Sequence, residues 1–461
     1  MAELEAQIGE AELTIGHLRL GLARGGSAPG RLAFVLLHPL QSARLASAFL
    51  RRTAVRSRRA CWDGARWRRR ISAKAYAGAV GRRLHDIVTG PRHAFYDAAA
   101  TKPVRPGPRP KVLHVIANVA VGGSTQLMVD LMNGLGHQYE MRVLTSAVPP
   151  GGVHRNMAVE LAPQPGGPAT MRRVFERFEP DLVHVHYWGD VDEAWYALAL
   201  EAAAERGVPV IENVNTPVAP YRSPAVTDYV FVSDYVRRTF GRGGGDEHVI
   251  HPGSDFVRFA PPERRDPHAP DSIGMVYRLE PDKLNADSIL PLIEVVRRRP
   301  RTRAFVVGEG SLFIPFLQRV RDAGVAENFV FPGYVPYQDL PSWYARFDVF
   351  VAPVWKESFG QVTPFAMSMG LAVTGTRVGA LPEILGGEQW LADTPEGIAA
   401  LTIRLLDDDA LRTRVGAENR ARAVQHYGVD AMIDRYADLY ARRAPAAELM
   451  PGFPPAELFA S

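Results

Sequence analysis

The strongest constraint on this chain is a rhythm that runs twice along it: a short apolar run, a turn, then an amphipathic stretch. The first pass opens with "KVLHVIANVA", "VGGS" and "TQLMVDLMNGL", which reads as strand, glycine turn and helix. Further buried-strand candidates are "MRVLTS", "DLVHVHYW", "VPVIENV", "YVFVS" and "HVIHPG", with helices between several of them. After Asp255 the pattern restarts with "IGMVYRL", helices over "ADSILPLIEVVRRRP" and "LFIPFLQRVRDAG", and strands in "RAFVVGEG", "FVFPG", "VFVAPV" and "LAVTGTRV". From Thr394 onward only helices are expected. Apolar strands alternating with helices predict parallel, doubly wound sheets, hence an α/β chain with two Rossmann-like domains. Ligands are expected at the carboxyl ends of the strands, facing the cleft between the domains.

A chain of 461 residues suits two or three domains at about 150 residues each. The boundaries read as 1–110 for a basic helical extension and proline-rich linker, 111–255 and 256–425 for the two α/β domains, and 426–461 for a helix crossing back to the first domain plus a tail. The net charge of +4 is uneven, since residues 1–110 hold 20 Lys+Arg against 7 Asp+Glu. Within that extension Leu4, Ile8, Ala11, Ile15, Leu18 and Leu22 form one helical seam, suited to self-association or to docking on the protein itself. The run "RRTAVRSRRACWDGARWRRR", with Trp62 and Trp67, suits an anionic membrane surface or a solvated basic face; nucleic acid is not the expected partner. The only cysteine, Cys61, rules out an intramolecular disulfide and leans toward a reducing compartment. An acidic start and the lack of an apolar stretch of about 18 residues make the cytoplasm, with a peripheral membrane contact, the expected location.

A nucleotide diphosphate needs cations, helix amino ends and hydroxyl partners, and the second domain supplies them in order. Arg278 and Lys283 in "YRLEPDK" follow a strand end, where both side chains can reach one diphosphate. "FPGYVP" places Gly333 and Val335 at a turn whose backbone can pair with a base edge. "KESFG" puts Glu357 in a loop and the amides of Ser358, Phe359 and Gly360 at a helix start; simple helix capping accounts for the same residues. In the first domain, Gly122 and Gly123 allow close backbone approach to a ligand. His186 is expected to point into the cleft from a strand end, although a lone histidine is more often structural. Asp190 and Asp192 in "GDVDE" have a metal-ligand spacing, but capping of the next helix explains them more simply, and no metal is expected.

Together these residues resemble glycosyltransferase family 4, the retaining sugar transferases of GT-B fold. The resemblance spans roughly 111–443 and rests on the GG loop, the H-x-H strand end, "HPGSDFVRF", R-x4-K, G-x-V, E-S-F-G and "GALPEIL". It implies a retaining transfer from a nucleotide-diphosphate sugar to a glycan or glycolipid acceptor, with no cofactor. By it, Gly122 and Gly123 flank the acceptor and donor phosphates, and His186 contacts the donor sugar. Arg278 and Lys283 bind the diphosphate, Glu357 the sugar hydroxyls, and the Val335 backbone the base, while Gly379 and Glu383 close the site.

One residue departs from the pattern. Where the family usually carries a second glutamate on the ribose, eight residues after Glu357, this chain has Phe365. Losing hydrogen bonds to a charged acceptor costs about 1.5 to 3 kcal/mol each, which a working enzyme tolerates if its other contacts survive. One expectation is altered donor recognition, favouring a deoxythymidine donor that lacks the 2'-hydroxyl. The plainer expectation is that Phe365 is core, near Val362, Met367 and Met369. Two other functions fit the same architecture: a catalytically silent binding protein, and a sugar-nucleotide epimerase whose acid-base carboxylates have no evident place.

Overall fold

The computed structural model describes residues 96–120, 122–149, 154–164, 167–189, 192–242, 246–262 and 271–444. The chain divides into two compact units, and every element named below belongs to the unit made of residues 97–147 and 156–461. The predicted apolar seam of residues 4–22, the Trp62 and Trp67 region and Asp190 lie outside the described residues.

The first sheet contains β1 (Lys111–Val115), β2 (Glu140–Thr145), β3 (Val159–Leu161), β4 (Leu182–Tyr187), β5 (Val210–Val214), β6 (Val226–Phe231) and β7 (Glu247–Val249). Its spatial order is β3-β2-β1-β4-β5-β6-β7, with every pair parallel. The second sheet holds β8 (Ser272–Val276), β9 (Arg303–Val307), β10 (Phe329–Gly333), β11 (Val349–Ala352), β12 (Ala372–Thr376) and β13 (Leu391–Ala392). Its order, β10-β9-β8-β11-β12-β13, repeats the first and is again all parallel. In each sheet the strand order reverses once, between β1 and β4 and between β8 and β11, which opens a crevice at the strand carboxyl ends. The two-sheet α/β architecture expected from the sequence is therefore the observed one. The central strands are buried along nearly their whole length, as β4 "LVHVHY" shows, because helices cover both faces.

The helices are α1 (Gly123–Leu135), α2 (Pro168–Phe178), α3 (Glu193–Glu205), α4 (Asp234–Phe240), α5 (Leu290–Arg298), α6 (Phe313–Asp322), α7 (Leu340–Tyr344), α8 (Val362–Ser368), α9 (Leu381–Leu385), α10 (Pro395–Asp407), α11 (Asp409–His426) and α12 (Val429–Arg443). Their starts follow local chemistry: Ser233 accepts from the Val236 amide to begin α4, and Thr394, followed by Pro395, accepts from the Gly397 amide to begin α10. The helix expected from Ala286 begins at Leu290 instead. Asn285 Oδ1 accepts from the Asp287 amide and Ser288 Oγ from the Asn285 amide, so those residues close a turn before Pro291 starts the helix. The edge strands β3 and β13, of 3 and 2 residues, carry too little apolar pattern to be read from sequence.

The last helix packs against α1 of the first sheet. Tyr436 Oη bonds Asn213 Oδ1 on β5, Tyr440 Oη lies 2.6 Å from His184 Nδ1 on β4, and Arg443 Nε bonds Asp228 Oδ2 on β6 at 2.6 Å. Among the described residues no helix is long and apolar enough to cross a membrane.

Candidate functional site

The best-assembled group stands at the switch point of the second sheet. Lys283 follows β8 and Glu357 follows β11, the two strands that flank the reversal. Lys283 Nζ lies 2.7 Å from Glu357 Oε1; the carboxylate is fully buried and the lysine one-third exposed. Glu357 Oε2 is buried with no hydrogen-bond partner. The surrounding backbone is built to admit this side chain. At Gly360, with φ +73°, a Cβ would sit 2.2 Å from Oε2, and at Gly379, with φ +59°, a Cβ would sit 2.0 Å from the Glu357 carbonyl oxygen. Both positions need a glycine for conformation and for space. The Ala380 amide then donates to that same Glu357 carbonyl, so the "GALPEIL" segment supports the loop from behind.

Trp355 ties the two loops together. Its backbone amide donates to the Lys283 carbonyl at 3.0 Å, and its indole N–H reaches the carbonyls of Pro281 and Leu284 at 3.1 and 3.2 Å. The ring remains about half exposed beside the Lys283–Glu357 pair. Its tethering role has no signal in the sequence beyond its place in the motif.

The next residues face the first sheet. Ser358 Oγ donates to the Asn215 carbonyl at 3.0 Å, and the Ser358 carbonyl accepts from Ser233 Oγ at 2.6 Å. Phe359 is buried, stacked on His251 at 5.4 Å between centroids and edge-on to Tyr427. A Cβ on Gly123 would come within 3.1 Å of Gln361 Oε1, so the GG loop lies against the entry to α8. Gly122 adjoins it at the start of α1, in extended backbone.

Three further expected residues have these surroundings. Arg278 is largely exposed and paired with Asp282 at 2.7 Å. Val335 is half-buried and packs on the core through its side chain. Phe365 is 4% exposed and lies parallel to Phe259, 3° between planes and 4.0 Å between centroids, with Tyr337 edge-on. Its ring is thus committed to the core under α8, as the plainer expectation had it, and it offers no polar group to a ligand.

His186 corrects a further expectation. Its imidazole is not open to the cleft but fully buried, 3.1 Å through Nε2 from His114 Nδ1 and 4.3 Å between ring centroids from His184. Alternate residues of β4 point to one face, so His184 and His186 share a side, and on it Tyr436 and Tyr440 of α12 pack against His184. Burial pushes the His114 imidazole down to about 3 and holds those of His184 and His186 well below the usual range, so all three are neutral. Among the described residues these histidines are the only trio whose ligand atoms all lie within 4.8 Å of one another. Their planes differ by only 24–40°, with centroids 4.3–5.3 Å apart. The rings lean over one another, with one hydrogen bond between His114 and His186, and His114 Nε2, His184 Nε2 and His186 Nδ1 are buried without a partner.

Asp192 also differs from expectation. It occupies the position before α3 but makes no capping bond; its oxygens accept from Gln164 Nε2 at 2.8 Å and Trp188 Nε1 at 2.9 Å.

Comparison with known proteins finds similarity over the same stretch of chain. Residues 270–408, which contain Lys283, Glu357 and Gly379, match the family described as Glycosyl transferases group 1. The chain is 27% identical over 310 residues to D-inositol 3-phosphate glycosyltransferase 2 of Catenulispora acidiphila, covering 57% of this chain and 70% of that one. It is 27% identical over 275 residues to the glycogen synthase of Mycobacterium tuberculosis, covering 54% and 64% respectively, the latter just short of two thirds. The fold matches Anabaena HepE, solved with UDP and glucose, at a TM-score of 0.60 and 16% identity, covering 72% of this chain and 100% of that one. The stretch around the second sheet is therefore similar to the glycosyl transferases group 1 family, on a two-sheet fold shared with HepE.

Proposed function

We propose that the protein is a retaining glycosyltransferase that moves a sugar from a nucleotide-diphosphate donor to a glycan or glycolipid acceptor, without a metal. The observation that carries this reading is Glu357, a fully buried carboxylate with one oxygen on Lys283 and the other without a partner. A buried carboxylate oxygen without a donor is costly, and sugar hydroxyls are donors of the right kind. The group 1 match over the same residues and the glycosyltransferase relatives point the same way.

In this reading residues 256–425 take the donor and 111–255 face the acceptor, with Gly122 and Gly123 lining the approach. Glu357 accepts from the donor sugar's hydroxyls. As the bond from the anomeric carbon to the phosphate oxygen breaks, the diphosphate leaves with the electron pair, the acceptor hydroxyl oxygen bonds to the same face of that carbon, and its proton passes to the departing phosphate. Lys283, with Arg278 released from Asp282, balances the charge that accumulates there. The amides of Ser358, Phe359 and Gly360 add to that stabilisation, and the Val335 backbone meets the base. His186, buried and neutral, acts beneath the site and not as a proton donor. Assembly of polysaccharide or glycolipid at the inner face of a membrane, with the basic residues 1–110 as the contact, suits this chemistry.

The test is thermal stabilisation by uridine, guanosine, adenosine and deoxythymidine diphosphates, since a ligand bound only to the folded state raises the melting point. Selective stabilisation by one of them, lost in Lys283→Ala, is expected. No response to any at millimolar concentration would overturn the reading.

A further inference from the structure

Glu383 is far better bonded than its place in an ordinary surface motif suggests. It lies on α9 in the second half of the chain, yet its carboxylate serves the first. Oε1 accepts from the Asp234 amide at 2.9 Å and from His251 Nε2 at 2.7 Å, while Oε2 accepts from the Tyr235 amide at 2.9 Å. Asp234 and Tyr235 open α4, which sits between β6 and β7 of the first sheet; His251 follows β7 in the crossing segment. Burial alone would push this carboxyl up, but the bonds from His251, Asp234 and Tyr235 outweigh it and hold the group below its usual value.

The backbone that carries Glu383 is fixed as well. Its carbonyl accepts from Arg422 Nη2 at 2.8 Å and from Tyr427 Oη at 3.2 Å, and the Ile384 carbonyl accepts from Arg422 Nε at 2.9 Å. Two routes then lead from Glu383 to the Glu357 loop. Through α9, the Ala380 amide holds the Glu357 carbonyl. Through His251, the imidazole bonded to Glu383 stacks on Phe359. The same turn of α4 receives the loop directly, because Ser233 Oγ donates to the Ser358 carbonyl.

We propose that Glu383 is a positioning residue: one carboxylate sets the register of the first sheet's α4 and of His251 against the loop carrying Glu357, and thereby the distance between acceptor side and donor side during transfer. This rests on the functional reading above. Glu383 touches neither substrate nor Lys283 in the process; it acts through His251, Ala380 and Ser233. Binding of a nucleotide to the second sheet alone does not require it, whereas transfer between the two sides does.

The experiment compares the full-length wild type with Glu383→Gln and Glu383→Ala by amide hydrogen exchange, with UDP affinity measured on the same samples. Loss of charged hydrogen bonds is expected to speed exchange about tenfold or more at Asp234 and Tyr235 in Glu383→Ala. It is also expected to speed exchange across residues 358–360, which Glu383 does not bond directly. Glu383→Gln keeps one carbonyl oxygen and is expected to fall between the two, which guards against a variant that merely folds poorly. UDP affinity changes less than about threefold, and with the donor sugar kcat falls while KM is held. Unchanged exchange at 358–360 in both variants would overturn the proposal, as would loss of UDP affinity in parallel with the exchange. If the wild type binds no nucleotide diphosphate, the functional reading fails, and the exchange at 358–360 still decides whether Glu383 sets the register.

Discussion

Lys283 and Glu357 are separated by 74 positions in the chain and by 2.7 Å in space. The pairing follows from the repeated strand order, which places the ends of β8 and β11 side by side at the reversal. An ion pair at this point does not explain itself by stability, because a buried pair seldom repays its desolvation. In the proposed function it is pre-organisation, with a cation and an acceptor held together in the loops that follow the two strands.

Glu357→Gln keeps the shape of that side chain and removes its charge. Turnover of the nucleotide-sugar donor is expected to fall about a hundredfold, the equivalent of one charged hydrogen bond made in the transition state. The measurement is kcat/KM beside the wild type; an unchanged value would remove Glu357 from the reacting centre.

Phe365→Ala opens a cavity in the stack with Phe259 and is expected to cost about 3–5 kcal/mol in denaturant unfolding. Because the ring is packed inside, the preference between uridine and deoxythymidine diphosphates should survive the change. A swing in that preference, read by thermal shift, would return Phe365 to the ribose.

Gly379→Ala places a methyl against the Glu357 carbonyl in a backbone conformation that side chains rarely adopt. A loss of about 1–3 kcal/mol is expected, together with a weaker melting response to the stabilising nucleotide. Melting curves of the variant that match those of the wild type, both without ligand and with it, would show that the loop tolerates the methyl.

Two buried groups bend the stability curve in opposite directions with pH. The His114 pKa falls from 6.5 to about 3 on burial, so its contribution is present above pH 6.5 and is lost on acidification toward 3. Burial pushes Glu212 up to about 8, against weaker lowering by the Tyr221 amide and Arg222, so its contribution is present below pH 4.5 and is lost as pH rises through 8. Glu212→Gln mimics the protonated acid and should flatten the decline between pH 5 and 8. Urea unfolding across that range checks it; parallel curves for variant and wild type would contradict the assignment.

The sheets were legible in the sequence because each central strand is a continuous apolar run bounded by glycine or by polar turns, and α12 because its apolar residues keep helical spacing. Lys283, Glu357 and the glycines around them were legible because their types and spacing are tied to one backbone path. The direction of His186 was not: alternation along β4 assigns a face, and only the docking of α12 decides whether that face meets solvent. The pairing of Arg278 with Asp282, four residues on, was not read either, because both side chains are exposed and free to choose other partners. Glu383 gave no sign of its partners because Asp234, Tyr235 and His251 lie 132 to 149 positions earlier in the chain.

The docking of α12 also sets an order of events during synthesis. The first sheet is complete in sequence by Val249, yet His184, Asn213 and Asp228 each take a further hydrogen bond from Tyr440, Tyr436 and Arg443. A ribosome must therefore add nearly two hundred further residues before the first half can close over its own polar interior. A nascent chain stalled or cut before Tyr436 would hold a finished second sheet beside a first one that lacks these three bonds.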